Sequence, residues 1–258
     1  MKRGFGIAGI AGRMGRMLIE ELAAAGAPLS GGIDQSGGVN DATLYADIAG
    51  LAAASDVVID FTHASAVREH ARLLARAGTA WVLGTTGLSA ADEAEVARAA
   101  ERIAVVYAPN FSPGVNLVMA LAERMAAALP ANVYDAEIVE MHHRQKVDAP
   151  SGTAIGIGRA VARGRGVTLE DVTDSGRSGH TGARIAGHIG FAALRGGQVV
   201  GEHTLLFAAA DEHISLTHRA FDRRAFASGA VRSALWVRGR PAGLYSMMDV
   251  LGLSTGQA

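Results

Sequence analysis

Short apolar runs alternate with amphipathic stretches through the first third of the chain. That alternation predicts βαβ units around a parallel sheet buried on both faces. Strands are expected at Phe5–Ala8, Leu29–Ile33, Val57–Phe61, Trp81–Gly84 and Ile103–Tyr107. Helices are expected at Arg13–Ala25, Ser65–Ala77 and Ala90–Arg102, the last opening on Ser89 as N-cap with Asp92 and Glu93 in its first turn. The rhythm changes after about residue 112. Pro113 opens a helix to about Leu129, Val133–Met141 reads as a strand, and Ser151 after Pro150 caps a helix to about Arg163. From Arg184 the chain reads as strands: Gly187–Leu194, a hairpin turn at Arg195-Gly196-Gly197-Gln198, Val199–Ala208, then Asp211-Glu212 and His213–Thr217. Phe191, Leu205 and Phe207 give that sheet an apolar face, which a helix layer from the same chain or a second subunit must cover. Helices return at Phe226–Val237 and Ser246–Leu253.

Two apolar stretches imitate targeting signals. Met1-Lys2-Arg3 before the run Gly4–Gly12 resembles a signal peptide, but the run is short, glycine-rich and followed at once by Arg13 and Arg16, so it reads as a strand entering a glycine loop. Residues Ile103–Ala122 carry no charge, yet Pro109, Asn110, Ser112, Pro113 and Asn116 break them into a buried strand, a turn and a helix start. With no targeting or spanning segment, a cytoplasmic location and no membrane partner are expected.

Composition narrows the field further. The 258 residues, 49% of them hydrophobic, suffice for one large domain or two small ones with their own cores. The chain has no cysteine, so disulfides, thiolate metal sites and thiol nucleophiles are excluded. With 24 Lys+Arg against 25 Asp+Glu the net charge is -1, too weak a field to hold a polyanion, so no nucleic-acid partner is expected. Any anionic ligand must be small and bound locally.

The loop after the first strand reads Gly9-Ile10-Ala11-Gly12-Arg13-Met14-Gly15. Gly9 permits the tight turn, Gly12 lets the backbone approach a pyrophosphate, and Gly15 allows the helix to pack closely on the strand. The helix start then offers N–H groups and a positive dipole end. Asp34 ends the second strand, 19 residues after Gly15, where a carboxylate would accept hydrogen bonds from the adenosine ribose. Together these predict dinucleotide binding, against a glycine turn that serves packing alone. Asp34 repels the extra phosphate of NADP, Arg13 offsets part of that, and Gln35 adds no charge, so NADH is expected to serve at least as well as NADPH.

The most informative stretch is Glu140-Met-His142-His143-Arg-Gln-Lys146-Val-Asp148-Ala-Pro150-Ser151-Gly152-Thr153-Ala154. On an extended strand His142 and His143 point to opposite sides, so only one faces a given pocket. Lys146 follows within a short loop, and Ser151-Gly152-Thr153 opens a helix whose N–H groups suit a carboxylate. An imidazole, an ammonium and an anion seat describe a site for a small carboxylated molecule that is protonated during reaction. No third ligand at metal-site spacing accompanies the histidine pair, so no metal is expected. Ser151 lacks a G-x-S-x-G setting and reads as a helix cap. His63, His70, His213 and His218 read as surface or satisfied core residues. Arg177 and Arg184, in a glycine-rich loop, either reach the substrate or stay solvated.

The run from Glu140 to Ala154 resembles the signature of the 4-hydroxy-tetrahydrodipicolinate reductase (dihydrodipicolinate reductase) family of lysine and diaminopimelate biosynthesis. Gly9–Gly15, Ile59-Asp60-Phe61-Thr62, Gly84-Thr85-Thr86-Gly87, Ala108-Pro109-Asn110-Phe111-Ser112 and Gly201-Glu202-His203-Thr204 resemble further family blocks in family order. The resemblance implies a Rossmann-like dinucleotide-binding domain of residues 1–112 and 221–258. It implies a mixed α/β substrate-binding domain of residues 113–220 whose sheet builds a homotetramer. It also implies hydride transfer from NADH or NADPH to a small unsaturated dicarboxylate, with His142 as proton donor or acceptor and Lys146 as a second proton donor. His143, Gly152 and Thr153 would bind substrate. Gly9, Ile10, Ala11, Gly12, Arg13, Met14, Asp34, Gly84, Thr85, Thr86, Ala108, Pro109, Asn110 and Phe111 would bind the cofactor. Two other readings stand beside this one. A small dehydrogenase acting on an amino acid such as aspartate would account for the first 112 residues but not the His-His-Lys segment. A nucleotide-sensing regulator would need a DNA-binding module or basic surface that the sequence does not display.

Overall fold

Every residue of β1 (Gly4–Ala8) is buried, as a run with no alternating polar positions requires of a strand covered on both faces. The structure is a computed structural model that describes residues 4–37, 39 and 42–254; the leader-like Met1-Lys2-Arg3 lies outside the described residues. After β1 come α1 (Arg13–Ala24), β2 (Leu29–Ile33), α2 (Ile48–Ala54), β3 (Ser55–Asp60), α3 (Ala64–Ala77), β4 (Ala80–Leu83), α4 (Ala90–Ala100) and β5 (Ala104–Tyr107). The chain continues with α5 (Pro113–Ala128), β6 (Asp135–His142), α6 (Gly152–Arg165), α7 (Leu169–Val172), β7 (Thr173–Ser175), β8 (Ile189–Arg195), β9 (Gly201–Ala208) and β10 (His213–Ala220). It ends with α8 (Arg224–Val237), β11 (Gly243–Tyr245) and α9 (Met247–Leu251). Two units result, one of residues 1–113 and 224–258, the other of residues 114–223.

The first unit is built on a six-stranded parallel sheet in the order β11-β5-β4-β3-β1-β2, a Rossmann-like arrangement. One face packs Phe5, Ile7, Val57, Ile59, Val82 and Val106 against Leu18 and Leu22 of α1 and Ala230 and Ala234 of α8. The other packs Val58, Trp81, Leu83 and Val105 against α2, α3 and α4. Ser89 caps α4 in a reciprocal capping box, its hydroxyl accepting from Asp92 N while the Asp92 carboxylate accepts from Ser89 N at 2.9 Å. The hydrophobic pattern missed α2 and β11. The α2 sequence Ile-Ala-Gly-Leu-Ala-Ala-Ala has little polar contrast to mark a helix, and β11 is three residues long.

The second unit holds a mixed sheet in the order β10-β9-β6-β8-β7. The expected hairpin across residues 195–198 is not formed: β6 lies between β8 and β9, parallel to the first and antiparallel to the second. The end of β6 is fastened into the connection, with Gly196 N donating to His142 O at 2.9 Å and Arg144 N to Gly197 O at 3.3 Å. A local turn signal cannot reveal that a third strand passes between its flanks. Ala136, Ile138, Glu140 and His142 form the buried face of β6, continued by Leu205 and Phe207 of β9 and packed under Ala154, Ile157 and Val161 of α6. The opposite face carries Val139 at 38% exposure and Leu194 at 50%. The loop with Arg177 and Arg184 is tied down rather than solvated. Arg184 donates to Glu137 at 2.8 Å and Asp135 at 2.7 Å, and Arg177 to Glu137 at 2.5 Å.

Candidate active site

In the first unit the candidate cofactor residues gather at the carboxyl ends of the parallel strands, where ligands bind in open α/β sheets. Gly9 has φ +83, a conformation that side chains resist. A Cβ on Gly15 would collide with the carbonyl oxygens of Gly9 and Ile10, so the close approach of α1 to the loop requires glycine there. Ile10 is buried under the loop, and Ala11 N donates to Asp34 Oδ2 at 2.9 Å. Asp34 Oδ1 accepts from Ser36 N at 2.8 Å and Ser36 Oγ at 2.6 Å. Burial pulls the Asp34 carboxyl upward, but the hydrogen bonds from Ser36, Ala11 and Gly12 outweigh it and hold it below the usual carboxylate range.

Gly9, Gly12 and Asp34 line one cavity of about 490 Å3 together with Gln35, Asp47, Phe61, Thr62, His63 and His70. Of the remaining candidates, Met14 and Arg13 open α1, with the Arg13 side chain exposed outside the cavity lining. Gly84, Thr85 and Thr86 follow β4, and Ala108, Pro109, Asn110 and Phe111 follow β5. Local bonds shape both turns: Gly84 N donates to Asp60 O at 2.9 Å, Thr85 Oγ1 to Thr62 O at 3.1 Å, and Ser112 N to Asn110 Oδ1 at 2.8 Å. The rings of Phe111 and Phe61 pack with centroids 5.7 Å apart. His70 and Asp60 carried no role in the sequence. Asp60 is fully buried, with Oδ2 2.7 Å from His70 Nδ1 and accepting from Trp81 Nε1 at 3.2 Å, while Oδ1 accepts from Thr62 N and Oγ1. This carboxylate pins the turn that forms one wall of the cavity.

In the second unit the chemistry centres on the end of β6. His142, the last residue of β6, is buried, and His143 just beyond it is half-buried. Nδ1 of His142 lies 2.6 Å from Glu140 Oε2. Arg195, beside His142 in register on β8, donates to both Glu140 oxygens at 2.8 and 2.9 Å. Ser151 N donates to Glu140 Oε1 at 3.1 Å, and Ser151 Oγ caps α6 by accepting from Ala154 N at 3.2 Å. Burial works against the Glu140 charge, and the bonds from Arg195, His142 and Ser151 overcome it, so its carboxyl sits below the ordinary range. His203, in register with Glu140 on β9, sets its ring edge-on to that of His142 with centroids 5.1 Å apart. Lys146 Nζ donates to both oxygens of Asp148 at 2.7 and 2.9 Å, which lowers the Asp148 carboxyl. Gly152 and Thr153 form the first turn of α6, and nothing stands within 4 Å of where a Gly152 Cβ would be, so the approach to that turn is open.

Within the second unit Glu140 thus links His142 to the start of α6, and Arg195 and Asp148 extend the same network to Lys146. The structure adds Glu140, Arg195 and His203, to which the sequence assigned no role. Glu140 left a signal: it stands two residues before His142, on the same strand face. Arg195 left none, since it sits in a stretch that reads as a turn. Among the described residues no group of three or more His, Asp or Glu side chains is placed to hold a metal ion, and no helix is long and apolar enough to cross a membrane.

Comparison with known proteins meets this geometry along the whole chain. The family model for the dihydrodipicolinate reductase N-terminus matches residues 4–111, and that for the C-terminus matches residues 114–251. The 4-hydroxy-tetrahydrodipicolinate reductase of Granulibacter bethesdensis is 70% identical over 252 residues, covering 96% of each chain. That of Gluconacetobacter diazotrophicus is 63% identical over 248 residues, again covering 96% of each. Among solved structures, the dipicolinate-bound dihydrodipicolinate reductase of Paenisporosarcina sp. TG-14 superposes with a TM-score of 0.78 at 25% identity, over 96% of this chain and 99% of that one. A Rossmann-like nucleotide unit, a mixed-sheet unit carrying the His-His-Lys segment, and these matches lead to one conclusion: the chain belongs to the dihydrodipicolinate reductase family.

Proposed function

We propose that the protein reduces 4-hydroxy-tetrahydrodipicolinate, by way of dihydrodipicolinate, to tetrahydrodipicolinate with NAD(P)H, in lysine and diaminopimelate biosynthesis. The observation that carries this reading is the chain of hydrogen bonds in one unit that runs from His142 through Glu140 to Ser151, the N-cap of α6, and through Arg195 and Asp148 to Lys146. The dinucleotide fits the first unit: the cavity has the volume of a ligand pocket, Gly9 and Gly15 stand where a side chain would be strained or collide, and the Asp34 carboxylate lines the same cavity against the glycine loop. When bound, the reduced nicotinamide supplies a hydride to the ring of the substrate.

The chain's own residues supply the rest. His142 delivers the proton that completes the reduction, with Lys146 as a second donor once it leaves Asp148. The two cationic groups stabilise the negative charge that develops on the conjugated imine as hydride arrives. Gly152 and Thr153 seat one carboxylate of the substrate on the α6 N-terminus, and His143 contacts it from the strand end.

On this reading residues 1–112 and 221–258 bind the dinucleotide, and residues 113–220 bind substrate and join subunits into a homotetramer. Support for the tetramer is the open face of the mixed sheet, where Val139 and Leu194 are exposed. NADH serves at least as well as NADPH on this reading: Asp34 and Asp47 line the cavity, and no lysine or arginine does so among the described residues.

The test is oxidation of NADH and of NADPH followed at 340 nm, with substrate generated from pyruvate and aspartate semialdehyde by the preceding synthase. Synthase-dependent consumption is expected, at least as fast with NADH as with NADPH. Folded protein that binds nucleotide yet consumes neither cofactor would overturn the reading.

A further inference from the structure

Glu140 is 1% exposed and is held by four donors: both terminal nitrogens of Arg195, the Ser151 backbone N–H and the His142 ring. The paired contact from Arg195 is the fork geometry that suits an ionised carboxylate. An ionised carboxylate only accepts hydrogen bonds, so at 2.6 Å the Nδ1 of His142 must carry the hydrogen, whether the ring is neutral or cationic. Nε2 is then the nitrogen whose proton comes and goes.

No side chain at position 201 of the neighbouring strand crowds that nitrogen. A Cβ on Gly201 would stand 3.0 Å from Nε2 and 3.4 Å from Cδ2 of His142, so the glycine leaves room at the reacting edge. The same carboxylate grips Ser151, the N-cap of α6, and so ties the ring to the turn that carries Gly152 and Thr153. Arg195 extends the link by donating to Asp148 O at 2.7 Å, in the loop that carries Lys146.

We propose that Glu140 is a positioning residue for the reduction: it holds His142 with hydrogen on Nδ1 and Nε2 as the exchanging nitrogen, with Arg195 as its counter-charge. The role assumes that His142 is the proton donor of the reductase reading. One buried group thereby orients both the proton donor and the anion seat, two functions that the chain supplies from different elements.

The test uses the full-length protein labelled with 15N in its histidine rings, the His142 signals being assigned by their loss in His142→Gln. In wild type, neutral His142 is expected to show hydrogen on Nδ1. In Glu140→Gln the amide oxygen can still serve Arg195, but its NH2 group faces Nδ1, so hydrogen moves to Nε2. That variant should bind NADH like wild type and lose kcat by about tenfold or more. Wild-type His142 with hydrogen on Nε2 would overturn the proposal, as would Glu140→Gln with unchanged ring nitrogens and kcat within twofold of wild type. If the variant fails to fold, the wild-type spectrum still decides. Absence of synthase-dependent turnover in wild type would strike the reductase reading instead and leave the ring measurement standing.

Discussion

Ser151 Oγ lies 3.0 Å from Nε2 of His203, and both side chains are buried. Burial pushes the His203 imidazole down to about 4, and the neighbouring His142, His218 and Lys146 push the same way against Glu140. His203 is therefore neutral in the folded protein and takes up a proton readily only when the chain unfolds. A folded-state value below the unfolded one means that the stability is whole above about pH 6.5 and is lost as the pH falls from there to about 4. The loss amounts to about 3 kcal/mol across that window. Urea unfolding at pH 7 and pH 4.5 checks this. His203→Gln, which cannot titrate, should show a smaller drop in midpoint than wild type; equal drops would mean that His203 carries none of the acid sensitivity.

Asp34 links the glycine loop to the end of β2 through Ala11 and Ser36, and it lines the cavity where a ribose would sit. Its charge favours ribose hydroxyls and opposes a phosphate in the same place. Asp34→Ala should therefore lower kcat/KM for NADH by about tenfold or more, the size of a hydrogen bond to a charged group, and lower that for NADPH less. The measurement is kcat/KM for both cofactors in both proteins. Equal losses would mean that Asp34 acts only by holding the loop.

Local chemistry explains which features the sequence disclosed. The glycine loop, the Ser89 and Ser151 caps and the strand of His142 each depend on residues a few positions apart, and the structure contains all of them. The passage of β6 between β8 and β9 depends on partners 53 to 73 residues away, so a glycine-rich segment at residues 195–198 mimicked a hairpin. The Glu140–Arg195 pair was hidden for the same reason. A charged residue on a strand reads as solvent-facing until its partner is placed beside it, and here register brings Arg195 next to His142. Asp60 and His70 also meet only in three dimensions, across the turn between β3 and α3.

His142 and Lys146 should separate kinetically. His142→Gln removes the ring that Glu140 holds, and turnover should fall by about a hundredfold or more, while NADH binding in the other unit persists. Lys146→Gln frees Asp148 and removes a cation from the substrate side, so binding of 2,6-pyridinedicarboxylate, a planar mimic of the substrate, should weaken along with turnover. Calorimetric titration with NADH and with the mimic, beside steady-state rates, distinguishes the two. Unchanged turnover in His142→Gln would remove its assigned role.

The mixed sheet sets the last expectation. Its inner face is closed by α6, with Leu205 and Phe207 buried, while the outer face mixes Glu202, Thr204, Thr217 and Arg219 with Val139 and Leu194. Thr204 and Thr217 already pair across the strands at 3.0 Å, and Arg219 reaches Glu202 at 3.3 Å, so that part of the face needs no partner to satisfy it. The apolar side chains at 38% and 50% exposure are what a second copy would bury. Replacing both, as Val139→Glu with Leu194→Glu, places like charges opposite one another at any interface related by a two-fold axis. Sedimentation should then show wild type at four chain masses and the double variant at fewer. Wild type sedimenting as a monomer would refute the tetramer, and an unchanged tetramer in the folded double variant would place the subunit contact on another surface.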